Sequence, residues 1–540
     1  MGTMKAVLAV TLSGLMAGVM SACATHARPA DASAAQQGIF ETNVTNNMNL
    51  FSGEPEITID RNNPRNLAIV EFTMGSDERP VWAYNPFTGA KTLEEADASL
   101  KHLARVMLSS DGGNTWHARP APAFDPDHAP GGGDPMIESG PDSTLYVAAE
   151  PFPRNPGERG DMNKYTFVLA ASRDWGKSFG PPQQVGTPVD RPFLKVDQST
   201  GMVYTASSGT IDPESKALNK RAPGAIMDRW LVAWKPHLTG HSEPRRMGGP
   251  DFSAASGNTF VAAHGVVAST FVIGAPFPGG GPGSTKPVEI PASLRGAVKD
   301  GTQTCSVTEP CLFFQTSADD GLHWTRHHVP VAGGFSGFLT YVAADEGRPG
   351  RYAIGMLTRD STGIRVMVTR DSGETWSPPA TVVSAPAADT SADDPKASPI
   401  ATLSRGTITK PWMAYGPSGV LGFIWKQRRD DVKGPPTPPQ SPLVVWGPGF
   451  DVYAAISCDG GTTWLPPLRV NGETSPNGPA GQDDLSYIAL DQHDAHLVWG
   501  DRRFIAKISN VPMGQGGVQA FYGRVPFAAA SRGAQCGRNR

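Results

Sequence analysis

Three observations predict an all-β chain folded as a β-propeller of four-stranded blades. An octet of the form Ser/Thr-x-Asp-x-Gly-x-(Ser/Thr/His)-aromatic occurs five times, at 109–116, 172–179, 317–324, 369–376 and 457–464. A longer repeat of paired apolar strands runs alongside it in seven copies from about residue 38 onward. The composition, 61 Gly and 50 Pro against 18% charged residues, suits many short strands joined by turns. A repeat decides the architecture, because a single unit cannot bury its own faces.

Each fixed position of the octet has a local physical role. An Asp two residues before a Gly can fold its carboxylate onto following backbone N–H groups in an Asx-type turn. The Gly supplies a backbone angle that a Cβ resists, the Ser/Thr hydroxyls add local bonds, and the Trp or Phe buries its ring. Apolar runs such as Val106-Met107-Leu108, Phe167-Val168-Leu169 and Val366-Met367-Val368 precede the octets, which makes each one the turn of a β-hairpin. Calcium binding or catalysis is the functional alternative for Asp111, Asp174, Asp319, Asp371 and Asp459. Turn chemistry already accounts for every fixed position, so these five read as structural. The octet resembles the Asp box, or BNR repeat, of sialidase-like β-propellers. The resemblance implies boxes on the outer rim of the blades, away from the active site.

The longer repeat, in order, pairs Glu54–Asp60 with Asn66–Val70, Asp134–Glu138 with Thr144–Ala148, and Asp190–Asp197 with Gly201–Tyr204. It continues with Asp251–Ala254 and Thr259–Ala263, Gly337–Ala343 and Tyr352–Met356, and Pro411–Tyr415 and Val420–Trp425. Asp483–Leu490 with Ala495–Trp499 is the seventh. These pairs read as the two inner strands of each blade, and the box hairpins as the two outer ones. The third unit has only Arg229–Trp234 in place of a box, and the seventh only Val518–Val525. A strand near Ile39–Val44 would complete the last blade and leave no free edge. Seven blades are expected. The six-bladed ring of sialidases is the alternative, with the fourth or sixth unit as an inserted hairpin. The insertions 75–100, 151–164 and 276–311 carry the Pro and Gly of loops.

Residues 1–23 read as an export signal: Lys5 gives a positive start and Ala6–Met20 is apolar but short for a membrane span. Met20-Ser21-Ala22-Cys23 resembles the lipobox of bacterial lipoproteins, which implies lipidation of Cys23 and anchoring to the outer membrane. Plain cleavage after Ala24 or Ala27, giving a periplasmic or extracellular protein, is the competing reading. Residues 24–37 follow as a flexible tether, 38–530 as one propeller and 531–540 as a C-terminal tail. In an exported chain Cys305 and Cys311 could close a short disulfide loop, and Cys458 and Cys536 a bridge that pins the tail.

Chemistry is expected where the inner strands converge, at one mouth of the channel. The residues at their starts include Glu54, Glu56, Asp134, Asp190, Arg191, Asp251, Asp483 and Asp484, with Tyr487 following. The family resemblance implies a Tyr nucleophile paired with Glu, an Asp acid/base and three arginines gripping the substrate carboxylate. Tyr487 with Glu138 or Glu56, Asp134 and Asp483 are the catalytic candidates. Arg191, Arg502, Arg503 and Asp190 are the substrate-binding candidates, with Arg79 and Arg359 further choices. The family's Phe/Tyr-Arg-Ile-Pro motif is absent, so no residue transfers by motif. The bland readings stand beside these: Asp-Pro and Asp-Arg-Pro as turns that stop the strand, Tyr487 as packing, and Arg502 and Arg503 as surface partners of Asp501.

A net charge of -4 gives no basic surplus for nucleic acid. Gly279–Gly283 lacks the strand-GxxxxGK-helix setting of a phosphate loop, and the cysteines lack zinc spacing, so neither cofactor nor metal is expected. The chain reads as a monomeric, sialidase-like exo-glycosidase acting on an anionic glycan. A non-catalytic glycan- or protein-binding propeller, or a polysaccharide lyase, is the alternative. The membrane enters only through the lipid anchor.

Overall fold

The computed structural model describes residues 38–47, 51–74, 103–120, 128–153, 167–185, 190–209, 228–254, 259–274, 286–337, 340–387, 407–433, 448–475, 485–503, 518–531 and 536. The signal segment with Cys23, the tether, Arg79, Asp483 and Asp484 lie outside them.

Seven four-stranded antiparallel sheets form the ring. From the innermost strand outward, blade 1 is Phe51–Ile59, Leu67–Met74, Leu103–Ser109 and His117–Pro120. Blade 2 is His128–Ser139, Leu145–Pro153, Phe167–Ser172 and Gln183–Val185. Blade 3 runs Asp190–Val196, Val203–Gly209, Asp228–Trp234 and Arg245–Arg246. Blade 4 is Phe260–Ala263, Val266–Ile273, Cys311–Ser317 and Thr325–Val329. Blade 5 is Thr340–Ala344, Tyr352–Leu357, Gly363–Thr369 and Ala380–Ser384. Blade 6 is Ile408–Tyr415, Leu421–Lys433, Pro448–Ser457 and Leu468–Arg469.

Blade 7 takes Ser486–Leu490, Asp494–Asp501 and Gln519–Pro526 from the C-terminal end, and Phe40–Asn43 from the N-terminal end pairs with Gln519–Pro526 as its outermost strand. Closing the ring with both ends of the chain gives the last blade its fourth strand and covers the outer edge of Gln519–Pro526. The fourth and sixth units are full blades, so the inserted-hairpin alternative falls.

One register differs from expectation. In blade 4 the innermost strand is Phe260–Ala263, not Asp251–Ala254, and it turns through His264-Gly265 directly into Val266–Ile273. Both turn residues have positive φ, 55° and 75°, as a tight two-residue hairpin requires. Asp251 instead accepts hydrogen bonds from the Ser293 amide and hydroxyl, away from the inner strands.

The boxes connect the two outer strands of blades 1, 2, 4, 5 and 6. In the first, Ser109 Oγ donates to Asp111 Oδ1 at 2.8 Å and accepts from Gly113 N at 2.9 Å. Asp111 Oδ1 accepts from Asn114 N and Thr115 N, both at 3.0 Å, and its Oδ2 accepts from Thr115 Oγ1 at 2.7 Å. The other four repeat this bonding, with His323 Nδ1 replacing the hydroxyl against Asp319. These bonds hold the Asp174 carboxyl down near pKa 2, chiefly through the Ser178 hydroxyl and amide.

The boxes also fasten blade to blade, a role the octet does not announce. Arg524 of blade 7 donates to Gly112 O, Arg245 of blade 3 to Asp320 O, and Arg351 of blade 5 to Asp459 O, at 2.7–2.9 Å. Each thereby satisfies box carbonyls of the following blade.

Two disulfides are formed, Cys305–Cys311 and Cys458–Cys536. The second spans 78 residues and ties residue 536 to the box of blade 6. Cys536→Ser should cost roughly 4 kcal/mol, the chain-entropy worth of a loop that long. Equal urea midpoints for the non-reduced variant and the parent chain would show that the bridge adds nothing.

Candidate functional site

The innermost strands of blades 1 to 3 build one wall of the channel. Glu56 and Thr58 share one face of their strand, at the period of two that strands impose, and Glu54 reaches the same neighbouring blade from the bulge before them. Each accepts a backbone N–H from blade 2: Asp134 N to Glu54 Oε2 at 3.0 Å, Ile137 N to Glu56 Oε2 at 2.8 Å, and Ser139 N to Thr58 Oγ1 at 3.1 Å. Side chains thus do between these two strands what backbone carbonyls do within a sheet.

The spacing 134, 137, 139 skips a residue because Asp134-Pro135 is a bulge. Glu54-Pro55 and Lys410-Pro411 are bulges too, with φ of 51°, 42° and 50° at Glu54, Asp134 and Lys410 and a register shift at each. The expectation that such X-Pro pairs stop the strand is therefore corrected: the strand runs on. The bulge takes the residue without an N–H out of the ladder.

One turn of pleat further, Lys195 of blade 3 bridges two glutamates. Its ammonium is ion-paired with Glu138 of blade 2 and lies 3.8 Å from Glu56 Oε1. Glu56 is 2% exposed, and burial pushes its pKa up to about 8 against the opposing pull of Lys195. Burial alone would depress Lys195, but Glu138 and Glu56 outweigh it and raise its pKa.

This predicts a stability slope. The folded pKa of Glu56, about 8, lies above its ordinary value of 4.5. Between the two the native state holds a proton that the unfolded chain has lost, so the contribution is complete below pH ~4.5 and vanishes as pH rises through ~8. Urea midpoints should fall across that window, and Glu56→Gln should flatten the fall.

Blades 4 to 7 supply an aromatic wall. Tyr487 and Trp412 pack with ring centroids 4.0 Å apart, and Tyr341 meets Trp412 edge-on at 5.3 Å. The Tyr487 hydroxyl donates to Met136 Sδ at 3.5 Å. Between the walls lies a cavity of about 190 Å³ lined by Glu56, Glu138, Lys195, Trp412 and Tyr487. At its box-side end Arg61 of the first blade's turn is ion-paired with Glu346 of the fifth, Nη2 donating to Oε1 at 2.7 Å and Nη1 lying 2.5 Å from Oε2.

The other sequence candidates fall elsewhere. Arg503 pairs with Glu41 and Asp501 at 2.6 and 2.7 Å and covers the Phe521 ring, which places it among the outer strands of blade 7. Arg502 is fully buried, and its amide donates to Ser475 Oγ of the neighbouring blade. The expected convergence of these two with Tyr487 is not what the structure shows; their strand ends point between blades 6 and 7. Asp190 and Arg191 begin the innermost strand of blade 3, and Asp134 lies on the bulge of blade 2. Arg359 sits in a turn of blade 5, against Gly334. Lys195 was missed by sequence reasoning. The signal was available, since it lies on the strand whose first residues, Asp190 and Arg191, were noted.

Among the described residues one His/Asp group could gather a metal: Asp491, Asp494 and His496, with ligand atoms within 4.8 Å of one another. Its internal bonds already close the turn of blade 7. Asp491 accepts from His493 N, Asp494 N and His496 Nε2, and the other His496 nitrogen meets Tyr522.

No family model matches the sequence, and no curated protein matches it. Among solved structures, a Hadza microbial sialidase is 15% identical with a TM-score of 0.39, covering 80% of this chain and 75% of that one. A protein of unknown function from Dyadobacter fermentans is 11% identical with a TM-score of 0.41, over 90% and 99%. An α-L-arabinofuranosidase from Fusarium graminearum is 10% identical with a TM-score of 0.39, over 89% and 94%. The strand pairing itself establishes the seven-bladed ring, and these likenesses carry no argument about activity.

Proposed function

We propose that the protein is an exported glycoside hydrolase that releases a terminal sugar in the central cavity. The observation that carries this is the pair of glutamates on one lysine, facing an aromatic wall. Glu56, kept protonated near neutral pH by burial, is the general acid that gives its proton to the leaving oxygen. Glu138, held by Lys195, is the carboxylate that meets the positive charge developing on the sugar carbon, and water completes the hydrolysis. Both carboxylates reach one ammonium, which leaves less than the ~6.5–9.5 Å an inverting pair needs for its water, so retention is expected. Trp412 and Tyr487 offer the stacking surface, and Lys195 is the cation an anionic sugar would meet. The Arg61–Glu346 pair bars the far end, which favours a chain end over a chain middle.

A panel of fluorogenic sialosides, arabinofuranosides and other glycosides tests the reading. Tyr487→Phe should lose about tenfold or less, the worth of one neutral hydrogen bond. A loss of several thousandfold would instead make the tyrosine the nucleophile. Non-catalytic glycan binding is the second reading, favoured by the fact that Ile137 N and Lys195 already occupy the two carboxylates. Glycan binding without release of any aglycone decides for it.

A further inference from the structure

The Arg61–Glu346 pair is a strut across the channel. Arg61 belongs to the inner turn of blade 1 and Glu346 to that of blade 5, and these blades are not neighbours in the ring. Both residues line the channel cavity, and both also line a second cavity of about 200 Å³ among the inner turns of the box-side face. Gln198 and Pro417 are likewise common to the two. The pair therefore stands where the two spaces meet.

The backbone at each end of the strut is held firmly. Asp60 closes the turn that carries Arg61: its carboxylate accepts from Asn62 N at 3.0 Å, Asn66 Nδ2 at 3.1 Å and, from blade 2, Ser143 Oγ at 2.8 Å. Asp345 does the same beside Glu346, accepting from Gly347 N at 3.1 Å and from Arg351 Nη1 at 3.3 Å. The two side chains that meet are 33% and 26% exposed, and both are long, with several rotamers open to them. Rotation about their own χ angles parts them with no movement of either turn. What keeps them together is charge.

We propose that the pair is a gate at the box-side end of the channel, shut while Glu346 is ionised and opened by its protonation, so that water and small solutes pass between the two cavities in acid. Burial pushes the Glu346 pKa up to about 7, Arg61 and Lys195 oppose the rise, and Glu138 and Asp197 add to it. Glu346 Oε2 is buried even though part of the side chain meets solvent. The remaining charged groups around the pair are His264 of blade 4, Asp491 of blade 7 and, on Glu346's own turn, Arg348, which lies 3.7 Å from Asp345. Blade 6 brings only Pro417. Above neutrality the ionised carboxylate holds the guanidinium by a charge-assisted pair; below it a weaker hydrogen bond is left, which water replaces at a partly exposed arginine. The inference does not rest on the hydrolase reading, since no sugar and no step of that chemistry enters it.

Acrylamide, a small neutral quencher, tests the gate through the fluorescence of Trp412, which lines the channel cavity. The Trp412 share is the difference between the full chain and its Trp412→Phe variant, taken in each background. Quenching should be low at alkaline pH and rise on acidification, with a midpoint near pH 7. Glu346→Gln and Arg61→Met, which each lack the charge pair, should show at alkaline pH the quenching that the parent reaches only in acid. Histidines also change charge near neutrality, so His264→Asn is the control and should keep the step. Quenching independent of pH in the parent, or equal in the parent and Arg61→Met at alkaline pH, means that the pair bars nothing and overturns the proposal. A pH step that survives Glu346→Gln, or one that is lost in His264→Asn, assigns the switch to another group and overturns it as well.

Discussion

Under the proposed hydrolase reading, Glu56→Gln should lower kcat/KM on a cleaved glycoside by about 10²–10⁴-fold, the usual worth of a general acid. The fold should survive, because the glutamine carbonyl still accepts the Ile137 N–H that Glu56 Oε2 now accepts at 2.8 Å. The loss should be smallest for substrates with good leaving groups, which need little help from an acid. On the same reading the parent chain should lose activity as pH rises through about 8, where Glu56 gives up the proton it would donate. Glu138→Gln should fail at every pH, with no such rescue by leaving group. If Glu56→Gln retains full rates on a poor leaving group, the acid lies elsewhere and Glu56 is only a bridge between blades 1 and 2.

The second large effect concerns stability at the seam where the ring closes. Gly113→Ala should destabilise the protein by about 3–4 kcal/mol, and its neighbour Gly112→Ala by only about 1–2 kcal/mol. Both glycines have positive φ, 87° and 76°, so both changes carry the backbone penalty. Only Gly113 is also hemmed in: a Cβ there would lie 2.4 Å from the Tyr522 ring of blade 7, whereas at Gly112 the nearest atom is Arg524 Nη1 at 3.5 Å. Urea unfolding of the two variants compares them directly. Equal losses would mean that the box packs loosely on blade 7 and that the seam does not depend on this contact.

Gly113 also shows how far one repeat can be read. The octet fixed the turn, because every bond it needs is made within eight residues: hydroxyl to carboxylate, carboxylate to two amides, glycine amide back to hydroxyl. That the same glycine faces a tyrosine some 400 positions along the chain has no local signature. Likewise Arg245, Arg351 and Arg524 look like ordinary surface charges until the ring brings each against box carbonyls of the next blade.

The site divides in the same way. Glu56, Glu138 and Tyr487 stand out as channel candidates because they lie near the starts of inner strands, which converge on one mouth. The pairing of Glu56 with Glu138 through Lys195 was not, since it joins three blades and depends on how the inner strands lean together. Arg502 and Arg503 were misjudged for the opposite reason: they follow an inner-region strand in sequence, yet the end of that strand turns outward to Glu41 and Ser475.

By itself, then, the sequence determined the all-β class, the seven units and the closure of the last blade by Phe40–Asn43, because these rest on periodicity and turn chemistry that each segment carries alone. Only the tertiary structure decided which carboxylate is buried enough to hold its proton, and which arginines are spent on neighbouring blades. Desolvation and ion pairing depend on what surrounds a group, and in a ring those surroundings come from blades far apart in the chain.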